Sequence, residues 1–179
     1  MNIRFHLPKE TAVRVNEIIE KSYKEILLNS RLIGVRTDKN WLDNLTEDKI
    51  NSKDLSISSN DNMISFENLG VTQKILYSIQ QIFPKNRVNS SGFFHYPPTG
   101  YMGWHTNSNF PCQRLYLTYT KELNKSFFRY KKDNKIFTDY DDKGLTVRLF
   151  DVKEDPLFWH CVGSETDRLS FGFSIRWFI

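Results

Sequence analysis

Cysteine is scarce in this chain: Cys112 and Cys161 are the only two among 179 residues. Two thiols, neither part of a Cys-x-x-Cys pair, make no disulfide framework. No apolar run approaches the roughly 20 residues that a membrane-spanning helix needs. The opening Met1-Asn-Ile-Arg-Phe-His6 has no basic-then-apolar leader pattern. These absences together point to a reducing cytoplasm and no membrane partner. Lys, Asp and Glu are dispersed, so no run of like charge offers a binding tail. Internal repeats, linkers and low-complexity segments are also lacking.

What is present is a mildly basic, aromatic-rich chain. The net charge is +4 and the sequence pI about 9.0. That balance is compatible with nucleic acid or an acidic partner and dictates neither. The length suits a single domain over 1–179, and a chain of this size hides roughly 70% of its unfolded surface. Aromatic residues make up 15% of the chain, many of them after Phe93, where a β core would use them.

Two helices are legible in the first half. Over 9–29, Val13, Val15, Ile18, Ile19, Tyr23, Ile26 and Leu27 fall mostly on one stripe, with Glu17, Glu20, Lys21, Lys24 and Glu25 opposite. Over Thr72–Phe83, Ile75, Leu76, Ile79, Ile82 and Phe83 share a face, and Pro84 ends the run. Between them, residues 30–69 are polar, with short apolar pieces at Trp41-Leu42, Leu55–Ile57 and Met63–Phe66 that predict short strands and loops.

From residue 88 the texture changes. Ser91–Tyr96, Arg114–Thr120, Ser126–Tyr130, Lys135–Tyr140, Leu145–Phe150, Leu157–Val162 and Arg168–Phe178 read as strands bounded by turn residues. Pro97-Pro98-Thr99-Gly100, Asn109-Phe110-Pro111, Lys132-Asp133-Asn134 and Asp141-Asp142-Lys143-Gly144 supply the turn chemistry. The expected fold is mainly β with flanking helices, a sandwich or jelly roll. Residues 1–87 form its helical support region and early strands; residues 88–179 form the core that carries the site.

The chemistry gathers at Trp104-His105-Thr106-Asn107, Trp159-His160 and Arg168-Leu169-Ser170. On an extended strand His105 and Asn107 share a face, so an imidazole and an oxygen donor reach one ion. His160 adds a second imidazole from a later strand. Two histidines and one oxygen donor make a facial triad that leaves positions open on iron for a bidentate oxo-acid and dioxygen. Arg168 and Ser170, two positions apart, share a face and could grip a distal carboxylate. Trp104 and Trp159 alternate with the histidines and should face away, into the core.

The segment Phe94–Phe178 resembles the iron(II)/2-oxoglutarate-dependent dioxygenases, and most of all their prolyl-hydroxylase branch. Tyr96-Pro97, Gly100-Tyr101 and His105-x-Asn107 follow the order of that family's elements. His160 corresponds to its distal iron histidine, and Arg168 with Ser170 to its 2-oxoglutarate-binding pair. Tyr96 corresponds to a tyrosine lining the cosubstrate pocket. The resemblance covers about the C-terminal half and implies a double-stranded β-helix, Fe(II) and 2-oxoglutarate as cofactors, and hydroxylation of a protein or peptide side chain coupled to succinate and carbon dioxide release.

The departure is Asn107, where the family has a carboxylate. An amide offers a hard oxygen without charge. It ligates, or steps aside for water, or the chain is a catalytically silent jelly-roll binding domain that kept the pocket. Each histidine also has a bland alternative, a hydrogen-bonded strand histidine without metal, and Arg168 a surface ion pair with Asp167 or Glu165. His95, beside Tyr96, is read as outside the ligand set. Arg114, Arg129, Lys131, Lys132 and Arg148, interleaved with Tyr116, Phe128 and Tyr130, could line one mouth of the barrel and suit an anionic or nucleic-acid substrate. A solvated strand face is the better reading, and a protein or peptide substrate is preferred over nucleic acid or a small molecule.

Overall fold

The computed structural model describes residues 3–31, 40–50, 60–66 and 69–177. The apolar piece Leu55–Ile57 and the terminal Phe178 lie outside the described residues. The first helix, α1 (Lys9–Arg31), buries Val15, Ile19, Tyr23 and Ile26 along one stripe. The second, α2 (Leu69–Ile82), buries Val71, Ile75 and Ile79. It starts three residues before the sequence pattern suggested, because Val71 continues the same face. It stops one residue sooner, because Pro84 pushes the residue before it out of the helical region. Among the described residues no helix is long and apolar enough to cross a membrane.

Ten strands follow one another as β1 (Asn60–Asp61), β2 (Ile64–Ser65), β3 (Asn86–Tyr96), β4 (Tyr101–His105), β5 (Cys112–Thr120), β6 (Ser126–Lys132), β7 (Lys135–Tyr140), β8 (Gly144–Val152), β9 (His160–Ser164) and β10 (Arg168–Trp177). They form two five-stranded antiparallel sheets, ordered β2-β3-β10-β5-β8 and β1-β4-β9-β6-β7. The fold is a double-stranded β-helix, or jelly roll, with α1 and α2 against the outer face of the first sheet. The seven expected strands are all present. Tyr101–His105 is an additional strand, and β9 starts at His160 rather than Leu157. Asp133 and Asn134, with φ of 50° and 57°, close the β6–β7 hairpin in the left-handed conformation that such tight turns require.

Alternation along each strand divides the apolar residues among three cores. Leu115, Leu117, Leu169, Phe171, Phe173 and Ile175 pack beneath the helices. Tyr96, Phe128, Tyr130, Phe150, Val152 and Val162 fill the space between the sheets. Trp104 and Trp159 join Trp41, Leu45 and Phe127 on the outer face of the second sheet, as their parity against the histidines implied.

The inner face of the first sheet is best described as rows across β3, β10, β5 and β8, fixed by register. The outermost row is Arg87, Arg176, Cys112 and Val152. Next come Asn89, Ser174, Arg114 and Phe150, then Gly92, Gly172, Tyr116 and Arg148, then Phe94, Ser170, Thr118 and Thr146, and last Tyr96, Arg168, Thr120 and Gly144. A bulge between Gly172 and Phe173 keeps β3 in step. This ordering in depth, with about 7 Å between rows, positions the site.

Candidate active site

His105 closes β4 and His160 opens β9, and the two are register partners across the second sheet. Their ring centroids lie 4.1 Å apart. Each imidazole is fixed by the carbonyl two residues before it: His105 Nδ1 lies 2.8 Å from Gly103 O and His160 Nδ1 2.9 Å from Phe158 O. A carbonyl can only accept, so the ring proton sits on Nδ1 and the lone pair on Nε2, the tautomer of a metal-ligating histidine. Both rings are buried, at 3% and 0% exposure. Burial, reinforced by the neighbouring His105, holds the His160 pKa well below that of an ordinary histidine, so His160 stays neutral and able to ligate. Phe128, Phe150 and Phe158 surround the His160 ring and exclude water from that side.

Asn107 arrives by a different route from the one its spacing suggested. The strand ends at His105, and Asn107 has a left-handed φ of 57° in a turn closed by the Phe110 N–H donating to Asn107 O at 3.0 Å. Asparagine tolerates this conformation better than most residues. The turn aims the amide at the histidines: Asn107 Nδ2 is 3.2 Å from His160 Nε2 and 3.4 Å from the Tyr116 hydroxyl. Among the described residues no three His, Cys, Asp or Glu side chains converge as a metal site; the polar side chain beside the imidazoles is this amide. Turning it about its own axis presents Oδ1 in place of Nδ2. The tautomers and donor set therefore fit a divalent transition metal.

Arg168 is buried at 1% exposure, not on the surface, and neither Asp167 nor Glu165 is its partner. Asp167 holds His95 instead, at 2.8 Å. The Arg168 Nε donates to Asp141 Oδ2 at 2.9 Å and its Nη2 to Thr118 Oγ1 at 3.0 Å, and the guanidinium lies 5.1 Å from the centre of the Tyr96 ring. Its Nη1 is buried without a hydrogen-bond partner. An orphaned guanidinium N–H beneath a tyrosine is a fit for a carboxylate oxygen. Burial raises the Tyr96 pKa, against the opposing pull of Arg168, so its hydroxyl stays protonated. Tyr96, Ser170, His105, Met102, Phe94, Tyr116 and the facing pair Gly92 and Gly172 line one cavity. The cavity has a volume of only about 30 Å³, room for little more than water. A five-carbon diacid needs side chains such as Met102 and Phe94 to turn aside.

Asp141 was not among the residues that sequence reasoning selected. It is fully buried and accepts from Arg168, Arg148 and Ser126. Burial opposes its ionisation, but Arg148, Arg168 and the Ser126 hydroxyl outweigh that and hold its carboxyl well below the usual range. Read locally, Asp141-Asp142-Lys143-Gly144 is a solvated turn, and no local signal marks its first residue as interior. The basic residues form neither one mouth nor the expected solvated strand face. Arg148 is buried against Asp139 and Asp141, Arg114 is buried on the inner face, and Arg129 lies over Phe127 on the outside and donates to Leu45 O.

No family model and no curated protein matches this chain. Solved structures do. A prolyl hydroxylase from Trichoplax adhaerens, in complex with a hypoxia inducible factor oxygen degradation domain peptide fragment, aligns with TM-score 0.56 and 11% identity, over 97% of this chain and 81% of that one. A Pseudomonas putida prolyl-4-hydroxylase aligns with TM-score 0.49 and 12% identity, over 96% and 89%. A 2OG-Fe(II) oxygenase family oxidoreductase from Burkholderia pseudomallei aligns with TM-score 0.42 and 8% identity, over 57% of this chain and half of that protein. The Trichoplax likeness shows a shared fold and, at its identity, assigns no residue. In architecture the chain is a prolyl-hydroxylase-like double-stranded β-helix.

Proposed function

We propose that this protein is an Fe(II)- and 2-oxoglutarate-dependent oxygenase that hydroxylates a protein or peptide side chain. The observation that carries the reading is the pair of buried imidazoles, 4.1 Å apart, each locked by its own backbone carbonyl into the ligating tautomer. His105 and His160 hold the metal through Nε2, with Asn107 as the oxygen donor. Bound together, iron, 2-oxoglutarate and dioxygen supply an oxidant that places one oxygen atom in a C–H bond while the oxo-acid becomes succinate and carbon dioxide. The chain supplies the rest. Arg168 Nη1 and the Ser170 hydroxyl receive the distal carboxylate, the protonated Tyr96 hydroxyl borders it, and the phenylalanines around His160 keep water out. Two free thiols, Cys112 and Cys161, suit a reducing cytoplasm.

The experiment is metal content of the chelator-free protein together with succinate release on adding Fe(II), ascorbate and 2-oxoglutarate. His105→Ala should lose the metal and keep its circular dichroism spectrum. A wild-type protein that binds no iron with or without 2-oxoglutarate removes the proposal. The second reading, a silent binding domain, is favoured by one observation: Asp141 already occupies part of Arg168, which a cosubstrate carboxylate must then share. It predicts ligand binding in the chamber with no succinate.

A further inference from the structure

The outer end of the first sheet's inner face carries three guanidiniums whose contacts are neutral: Arg87 donates to Asn89 Oδ1 at 3.3 Å, and Arg114 and Arg176 reach the Cys112 thiol. Arg87 and Arg176 are direct register partners on β3 and β10, and like charges opposite one another destabilise a sheet. Arg114, one row deeper, is buried at 7% exposure and its Nε has no hydrogen-bond partner. Arg176 lies 3.6 Å from the centre of the Phe110 ring and Arg114 5.6 Å from it, on a ring that is itself 44% exposed. Among the described residues none of the three guanidiniums has a carboxylate partner. Asp151, the nearest acid along β8, has the opposite parity and is bonded to Gln113. Phe110 is tied to Asn107 by the turn hydrogen bond, which couples this arginine group to the metal side of the site.

We propose that Arg87, Arg114 and Arg176 form an oxyanion subsite that seats a carboxylate or phosphate of the peptide substrate. The proposal rests on the peptide-oxygenase reading and adds what it lacks, a recognition element. Guanidiniums present planar forks that match such groups, and Arg has no acceptor capacity to satisfy itself. Arg114 lies one row, and Arg87 and Arg176 two rows, outward from Tyr116, which touches Asn107 at the candidate metal centre. At about 7 Å per row and about 3.4 Å per extended residue, the oxyanion belongs about two to four residues from the residue modified. Nucleic acid is disfavoured because Phe110 already carries the Arg176 guanidinium against its ring, which reduces its use as a stacking platform for bases.

The test measures peptide binding by fluorescence anisotropy on the full chain without metal or oxo-acid. The probes are a labelled peptide with a central proline flanked by glutamates, its glutamine counterpart, its phosphoserine counterpart and a labelled oligothymidylate. The glutamate peptide should bind about tenfold tighter than the glutamine peptide, and Arg176→Gln or Arg87→Gln should erase about that factor, as expected for losing a charged hydrogen bond. Both residues are exposed, so these variants should fold. Arg176→Lys should recover part of it. Tighter binding of the phosphoserine peptide, lost in the same variants, identifies phosphate as the preferred oxyanion. Equal binding of the glutamate and glutamine peptides, or unchanged binding in Arg176→Gln, overturns the subsite, as does oligothymidylate binding more tightly than either acidic peptide. An enzyme that releases succinate yet ignores peptide charge sinks the subsite alone. A charge-dependent binder with no turnover sinks the oxygenase reading alone.

Discussion

A divalent ion held by two neutral imidazoles and a neutral amide keeps both of its charges until an anion joins it. On the proposed function, Asn107 is the residue at which affinity for metal and for cosubstrate become one question. Fe(II) should bind weakly alone and about 5–150-fold more tightly with 2-oxoglutarate present, with the reciprocal effect of metal on the oxo-acid. Asn107→Asp should tighten metal binding in the absence of cosubstrate and shrink that coupling. Anaerobic calorimetry on both proteins decides it, and identical affinities with no coupling in either place Asn107 away from the metal. The sequence indicated which residues gather here but not how. Parity along an assumed strand brought Asn107 to the histidines; the chain does so with a left-handed turn, which an alternation argument cannot see.

At the scale of elements, one buried carboxylate ties four segments together. Asp141 follows β7, Ser126 lies on β6, Arg148 on β8 and Arg168 on β10, so the cluster clamps one sheet to the other at the closed end of the chamber. The folded pKa of Asp141 lies below its unfolded value of about 3.9. Its contribution to stability is therefore present above about pH 4 and is lost as pH falls towards the folded value. Asp141→Asn should cost about 3–5 kcal/mol at neutral pH, because it strands two buried arginines. It should also flatten the acid limb of a stability–pH profile measured by urea unfolding; a variant as stable as wild type at pH 7 would show the clamp to be slack. None of this was legible in the sequence, since the partners lie 15, 7 and 27 positions from Asp141. The strands themselves were legible because alternation and turn residues are local, and the short segments between residues 30 and 69 were not because they have too little of either.

A second element-scale prediction concerns the pair Gly92 and Gly172. A Cβ on Gly172 would come 2.9 Å from Ser91 Oγ, 3.2 Å from Gly92 O and 3.3 Å from Tyr116 Cε1. Gly172→Ala should overpack the cavity by about 1–3 kcal/mol and weaken oxo-acid binding by about tenfold or more, since 1.4 kcal/mol is tenfold. Undiminished 2-oxoglutarate binding in a folded variant would locate that ligand elsewhere.

For the molecule as a whole, the rows of the first sheet run from a charged, exposed mouth to a closed floor of Tyr96 and Arg168. A chamber that opens only at that mouth fills and empties like a stack. Whatever reaches Arg168 must pass the histidines before a peptide lies across Arg114 and Arg176, and it cannot leave while the peptide stays. On the proposed function the oxo-acid would be first in and the modified peptide first out. A peptide bound to the empty chain shuts the oxo-acid out, so excess peptide should inhibit competitively against 2-oxoglutarate, and a dead-end oxo-acid should do the same. A random pattern in initial-rate inhibition would mean that the chamber has a second door.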